Sequence, residues 1–205
     1  MTTILLARHG ETDWNRDRRF QGHADPPLNE RGREQARELA HKLAGVEVAA
    51  VYTSPLRRAR ETAEIVAAAA GVELRVEPHL REVDVGDWTA LTVDEVQQRF
   101  PEQYARWRAH ETHGWNGGES YETLGERVVP ALLTIGDAHP GATIVAVTHG
   151  GPIRAIAGVI AGLDPLATRR TIPVLENCGI AAITVDGGTL RESRWTPPAV
   201  YPSSS

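Results

Sequence analysis

Cysteine is almost missing from this sequence: Cys178 is the only one in 205 residues. No intrachain disulfide can form, and no Cys-x-x-Cys pair exists for a metal or a redox couple. Cys178 itself reads as a small buried hydrophobe. Positive charge is not in excess either. Lys and Arg number 22 against 27 Asp and Glu, for a formal net charge of -5, which argues against a nucleic-acid partner, because such binders carry a basic footprint. Any anionic ligand must therefore be met by a local cluster of Arg and His rather than by the global field. Long apolar runs are lacking too. The first is broken at Arg8, too early for a signal peptide or a membrane span, so the expectation is a cytoplasmic protein with no membrane partner. There is no internal repeat, no long linker, and no exposed heptad or long edge strand, which leaves monomer and homodimer open.

With 41% hydrophobic and 24% charged residues, the composition is that of a soluble globular chain. The length predicts one domain over residues 1–197 with a lid insertion at about 90–122, and the Pro/Ser-rich end, 198–205, reads as a flexible tail. Apolar runs alternate with helical patterns, the signature of an α/β fold with a largely parallel sheet. "TTILLA" reads as a buried strand ending at Arg8. In "LNERGREQARELAHKLAG", Asn29 can cap a helix, Ala36, Leu39, Ala40 and Leu43 share a face, and Gly45 stops it. "VAAVYTS" is a second strand, "PLRRARETAEIVAAAAG" a helix ending at Gly71, and "ELRVEP" a third strand, placed at an edge. Residues 92–110 read as helical, and "ETHGWNGGES" after them as a lid loop. The next helix is expected near Thr123, where Thr123 and Glu126 have capping-box spacing. "ATIVAVTHGG" is a buried strand, "GPIRAIAGVIAG" an apolar helix, and "GIAAITVDGGTLRESRWT" a hairpin turning at Gly187 and Gly188.

Two strand ends carry the same signature, "LLARHG" and "VAVTHGG". Ligands bind beyond the carboxyl ends of parallel strands, so His9 and His149 are expected on one side of the sheet. Gly10 and Gly150 follow them, and glycine lets backbone approach a ligand closely. Arg8 precedes His9, while "SPLRRARETA" puts Arg57, Arg58 and Arg60 at the start of a helix, where anions are already favoured and an arginine fork matches phosphate oxygens. Adjacent helical residues point about 100° apart, so Arg60 and one of Arg57 and Arg58 should face water. A neutral imidazole can attack phosphorus, and nearby arginines both hold the phosphoryl group and disfavour imidazolium. A departing alcohol needs a proton. Glu82, in "LREVDVGDW", is the best-placed acid by chain position, with Glu11 and Asp13 as rivals in a turn expected to be wet.

At this point the chain resembles the histidine phosphatase superfamily, in its phosphoglycerate mutase-like branch: "RHGETDWN", "SPLRRARETA", "LREVDVGDW", "GGES" and "VTHGG" occur in the family's order between about Ile4 and Ile153. The resemblance implies an α/β sandwich of three layers, with a mostly parallel central sheet, helices on both faces and a small lid over the strand ends. It implies that His9 is the phosphorylated nucleophile, that Arg8, Arg58 and His149 line the phosphate pocket, and that Glu82 is the proton donor. The pattern S-x-L-x-R-A-x-[QE]-T-A falls on Ser54 to Ala63 and selects Arg58 over Arg57. Asn15 matches a phosphate-contacting amide, and Gln21 and Gly22 match the loop beside the pocket, with Gly150 beside His149. Where the family often continues its acid motif as Gly-x-Trp-Glu-Gly, this chain has Thr89 and Ala90 after Gly86, Asp87 and Trp88, which bears on the local turn and on substrate preference.

The implied activity is metal-independent hydrolysis of a small phosphorylated metabolite, with no cofactor. A mutase typically has Trp after the first loop's F-x-G, His-Tyr-Gly after the acidic motif, and a longer middle. His23, "VDVGDW" and the short middle here resemble the phosphatases. A non-catalytic phosphate- or phosphoprotein-binding module is the third alternative, disfavoured because the nucleophile, acid and pocket residues are all present. The helical zinc motif needs H-E-x-x-H, whereas His110 and His113 in "HETH" are three apart in a loop, suiting lid or solvent positions. His23, His41, His79 and His139 read as surface residues, Trp88 and Trp195 as packing, and Trp107 and Trp115 as flanking the lid, where an aromatic could shape the leaving-group pocket.

Overall fold

Strand and helix alternate from the first residues of the computed structural model, which describes residues 1–112, 115 and 117–193. In chain order the elements are β1 (Thr2–Arg8), α1 (Asp13–Arg16), α2 (Glu30–Lys42), β2 (Val48–Thr53), α3 (Arg57–Ala70), β3 (Leu74–Val76), α4 (Val93–Arg99), α5 (Pro101–Arg108), α6 (Tyr121–Asp137), β4 (Thr143–Thr148), α7 (Gly150–Ile160), α8 (Pro165–Thr171), β5 (Ile180–Asp186) and β6 (Thr189–Ser193). One sheet holds the strands in the order β3-β2-β4-β1-β5-β6. β3, β2, β4 and β1 run parallel, and β5 and β6 are antiparallel additions. The final hairpin turns at Gly187 and Gly188, with φ of 54° and 74°, the left-handed values that a two-residue hairpin turn requires.

The central strands are apolar on both faces because both faces are covered. Leu5, Ala7, Val51, Val145 and Val147 pack against Ala36 and Leu39 of α2 and Ala59 and Ala63 of α3. Ile4, Leu6, Ala50, Ile144 and Ala146 pack against Leu124, Val128 and Leu132 of α6 and Ile153 and Ile156 of α7. These are the three layers expected. Each fully buried Leu or Ile contributes roughly 1.5–3 kcal/mol, which sets the sheet's strand ends firmly enough to carry chemistry.

Local signals account for most boundaries. Asn29 caps α2 by accepting from the Gly32 amide at 2.8 Å, and Gly71 ends α3 in the left-handed region at φ 68°. Two expectations are corrected. The single helix expected over 92–110 is two, broken at Phe100 (φ -132°, ψ 55°), because Pro101 disfavours a helical residue before it and suits the first position of a new helix. The later helix begins at Tyr121, two residues before Thr123, because Ser120 takes the Thr123 amide at 3.1 Å. The short helices α1 and α8 carry no long apolar periodicity and were not expected. None of the described helices is long and apolar enough to cross a membrane.

Register places the two histidines together. β1 and β4 are paired so that Arg8 lies opposite Thr148, and the His9 amide continues the ladder to the Thr148 carbonyl at 3.0 Å. His9 and His149 therefore leave adjacent strands at the same level. Gly10 plays a different part from the one expected. A Cβ there would lie 2.4 Å from the Gly32 carbonyl oxygen, and one on Gly32 would lie 2.1 Å from that of Glu11. The missing side chain admits the first turn of α2, not a ligand.

Candidate active site

His9 and His149 are almost wholly buried, at 1% and 0% exposure, and their rings meet edge to face with centroids 5.1 Å apart. His9 Nδ1 lies 2.7 Å from the Gly10 carbonyl oxygen. That oxygen can only accept, so Nδ1 carries the proton and Nε2 keeps its lone pair. The Arg58 Nε–H donates to this same Nε2 at 3.3 Å, which can only be received by an unprotonated nitrogen. Two fixed partners thus select one tautomer. Burial, then Arg58 and Arg8, hold the His9 pKa well below its usual value, against the opposing Gly10 bond. His149 is lowered in the same way by burial, with Arg58 next.

The sign of their effect on stability follows. Both rings resist protonation in the fold, whereas an unfolded histidine binds a proton near pH 6.5. Stability is therefore full above about pH 6.5 and is lost as pH falls below it, by up to about 1.4 kcal/mol per pH unit for each ring. Denaturant unfolding between pH 7.5 and 5 should show this slope, shallower in His9→Gln; an equal slope in that variant would contradict it.

Arg58 is fully buried. Its Nη1 donates to the Ala24 carbonyl at 2.7 Å and its Nη2 to that of Gly22 at 2.9 Å. Burial pulls its pKa down to about 10, with Arg8 adding to the lowering and Glu82 and Asp25 opposing it. Arg8 donates from Nη1 to the Leu175 carbonyl at 2.6 Å. Burial also lowers its pKa, against the pull of Glu82. Two buried nitrogens at this site have no partner among the described residues, Arg8 Nε and His149 Nδ1, and unsatisfied buried donors are rare. Arg57 and Arg60 are exposed and pair with Glu61 at 2.6 Å and Glu64 at 3.4 Å, the outward-facing role expected of them.

Glu82 comes to the same place. Its Oε1 accepts from the Val83 amide at 2.9 Å and from Gly151, in the first turn of α7, at 3.0 Å. A Cβ on Gly151 would stand 2.4 Å from that oxygen, so the second glycine of "HGG" is what lets the carboxyl sit against α7. Gln21 and Asn15 both bond Thr12: its hydroxyl donates to Gln21 Oε1 at 3.1 Å, and Asn15 Oδ1 accepts the Thr12 amide at 3.1 Å. Asn15 is thereby the partner in the capping box of α1. Gly22 (φ 47°) supplies a carbonyl to Arg58, and Gly150 opens α7, where a Cβ would be 2.7 Å from Val174 and 3.7 Å from Arg8 Nε. Of the rival acids, Glu11 accepts from the Asn29 side chain at 2.9 Å and Asp13 pairs with Arg16 at 2.8 Å.

Several residues at the site were given no role from sequence. Ser54 Oγ lies 2.8 Å from His149 Nε2. Thr62 accepts the Gly10 amide at 3.0 Å and donates to the Arg58 carbonyl at 2.8 Å. Both lie within the very pattern that picked out Arg58, so the signal was present. His23 is exposed, as expected, with its Nε2 2.9 Å from the Glu82 carbonyl oxygen, whereas His139 is half-buried, with Nε2 3.0 Å from the Tyr52 hydroxyl, and is not the surface residue expected. Cys178 is buried and its thiol is pushed up to about 12 by burial. Trp88 is buried, and Trp107 packs on it and on Phe20 at centroid distances of 5.5 and 5.7 Å. Trp115 packs on Tyr121 at 5.5 Å, and Arg169 lies over both Trp107 and Trp115. His113 and Trp195, and the tail, lie outside the described residues. No group of three potential metal ligands occurs among the described residues.

Two buried histidines whose pKa values are held low, the buried Arg58, the half-buried Arg8 and one carboxyl converge on the sheet's carboxyl edge. The chain belongs to the histidine phosphatase superfamily (branch 1), whose profile matches residues 4–197. Among its relatives, phosphoglycerate mutase-like protein 4 of Arabidopsis thaliana is 43% identical over 157 residues, 75% of this chain and 68% of that one. Phosphoserine phosphatase 1 of Hydrogenobacter thermophilus is 37% identical over 166 residues, 80% of this chain and 78% of its own. The solved structure of Bacillus stearothermophilus YhfR superposes with a TM-score of 0.87 at 37% identity, covering 94% of this chain and 96% of that one.

Proposed function

We propose that the protein hydrolyses small phosphomonoesters through a phosphohistidine on His9, without a metal. The observation that carries this reading is the unprotonated His9 Nε2 in a site where two buried nitrogens, Arg8 Nε and His149 Nδ1, lack partners among the described residues. In the first step Nε2 attacks phosphorus as the ester P–O bond breaks. Arg8, Arg58 and His149 hold the equatorial oxygens and meet the charge that spreads over them; the Ser54 hydroxyl donates to His149 Nε2 and leaves Nδ1–H for a phosphoryl oxygen. Glu82 gives its proton to the departing alcohol. In the second step water attacks the phosphohistidine, Glu82 takes back a proton, and inorganic phosphate leaves with His9 restored. Asn15, Gln21, Gly22 and Gly150 frame the substrate side, and the α4–α5 segment serves as the lid. A mutase would share the first step and deliver the phosphoryl group to a second hydroxyl; the name of the Arabidopsis relative favours testing it. The protein should release p-nitrophenol from p-nitrophenyl phosphate in EDTA, and quenched reactions should hold acid-labile phosphate on the protein. No release would sink the reading, and turnover only with phosphoglycerate and a bisphosphate primer would make it a mutase.

A further inference from the structure

The segment that carries Glu82 has no strand or helix of its own; it runs between short 3-10 turns at Pro78–Leu80 and Gly86–Trp88. Loops of this kind are mobile unless tied down. Several side chains tie this one, and one of them spans it. Arg127, on α6, donates from Nη1 to the His79 carbonyl at 2.5 Å and from Nη2 to the Glu82 carbonyl at 2.8 Å. The guanidinium is itself locked by Glu119, through Nε to Oε1 at 2.7 Å and Nη2 to Oε2 at 3.0 Å. Glu119 returns to the same loop: its amide donates to the Asp84 carbonyl at 2.8 Å, and its Oε2 accepts the Asp84 amide at 3.3 Å. Both side chains are largely shielded, at 20% and 11% exposure, so the pair is little weakened by solvent.

Resting on the assignment of Glu82 as proton donor, we infer that Arg127 is a positioning residue for that acid, holding its backbone while α7 holds its carboxyl. Glu82 is gripped at both ends: the carbonyl by Arg127, with His23 Nε2 at 2.9 Å beside it, and Oε1 by the Val83 and Gly151 amides. Among the described residues that leaves Oε2 as the oxygen without a partner, to carry a proton toward the leaving group. The task suits arginine because its planar fork can hold a carboxylate and two carbonyls at once, which a lysine ammonium on a flexible stem cannot. A displacement of about 1 Å in a catalytic group can cost on the order of 100-fold.

A misplaced acid harms a poor leaving group far more than a good one, because nitrophenolate departs with little help whereas an alkoxide must be protonated. The readout is therefore the ratio of kcat/KM for glycerol 2-phosphate to that for p-nitrophenyl phosphate. Arg127→Gln and Arg127→Lys should each lower it at least tenfold; should the first fail to fold, as judged by circular dichroism and melting, the second carries the test. A smaller change in the folded variants overturns the inference. Glu82→Gln should lower the same ratio about 100-fold or more, and adding Arg127→Lys to it should bring less than a further tenfold fall, because a lost acid cannot be misplaced. A further tenfold fall would overturn the positioning role. If Glu82→Gln leaves the ratio unchanged, the proton-donor reading fails and this inference with it. If Glu82→Gln lowers it and the Arg127 variants do not, the inference alone fails.

Discussion

Replacing His9 with alanine should lower kcat for p-nitrophenyl phosphate by at least about 10,000-fold and leave no acid-labile phosphate on the protein. The size of the effect follows from the geometry. No other described nucleophile shares the position of His9 Nε2, whose lone pair is fixed by the Gly10 carbonyl on the far side of the ring and by Arg58 on the near side. His149 is the other neutral imidazole at hand, but its Nε2 is engaged with Ser54. The remaining pocket would still bind the phosphate ester, so KM should move far less than kcat. Stopped-flow and quenched-label measurements on the variant check both halves. Residual turnover above about one part in 100, with label still on the protein, would move the nucleophile to another residue.

Replacing Arg58 with alanine should lower kcat/KM by about 1,000-fold, and lysine should recover little of it. Removing one preorganised donor to the transferring group costs about 100- to 1,000-fold in comparable sites. Here the loss is at the upper end, because Arg58 also donates to His9 Nε2 and spans the Gly22 and Ala24 carbonyls. A lysine ammonium can reach one of these partners but not all of them. A smaller part of the effect should appear in the affinity for inorganic phosphate as a competitive inhibitor, which reads the pocket apart from the chemistry. A loss under tenfold in the folded variant would remove Arg58 from the phosphate site. Arg57, next in the chain, faces water and pairs with Glu61, so it makes the matched control.

Much of this was legible in the sequence, for physical reasons. The central strands were apolar throughout because helices cover both sheet faces, and His9 and His149 ended two such runs, so their meeting needed only that β1 and β4 pair in register. Arg58 was separable from Arg57 only through a family pattern, since on helical spacing alone either could have turned inward. Other features depend on contacts between segments far apart in the chain. Gly10 seemed to make room for a ligand, but what it faces is Gly32, and no local signal announces a close approach between a strand-end loop and a helix start. The same holds for Gly151 against Glu82 and for Arg127 reaching across to the acid loop. The break at Pro101 was readable, because the residue before a proline resists helical geometry, and the long helical pattern simply outweighed it.

The apposition of Gly10 and Gly32 has a consequence for how the molecule can move. Because two stretches of main chain touch there with no side chain between them, the nucleophile's loop and the opening turn of α2 form one cooperative unit: neither can open alone. The Gly10 amide on Thr62 and the Glu11 amide on Gln35 bind that unit to the helices behind the sheet. Breathing that admits a substrate or lets phosphate out then has to come from parts of the site outside this unit, around a nucleophile that stays fixed.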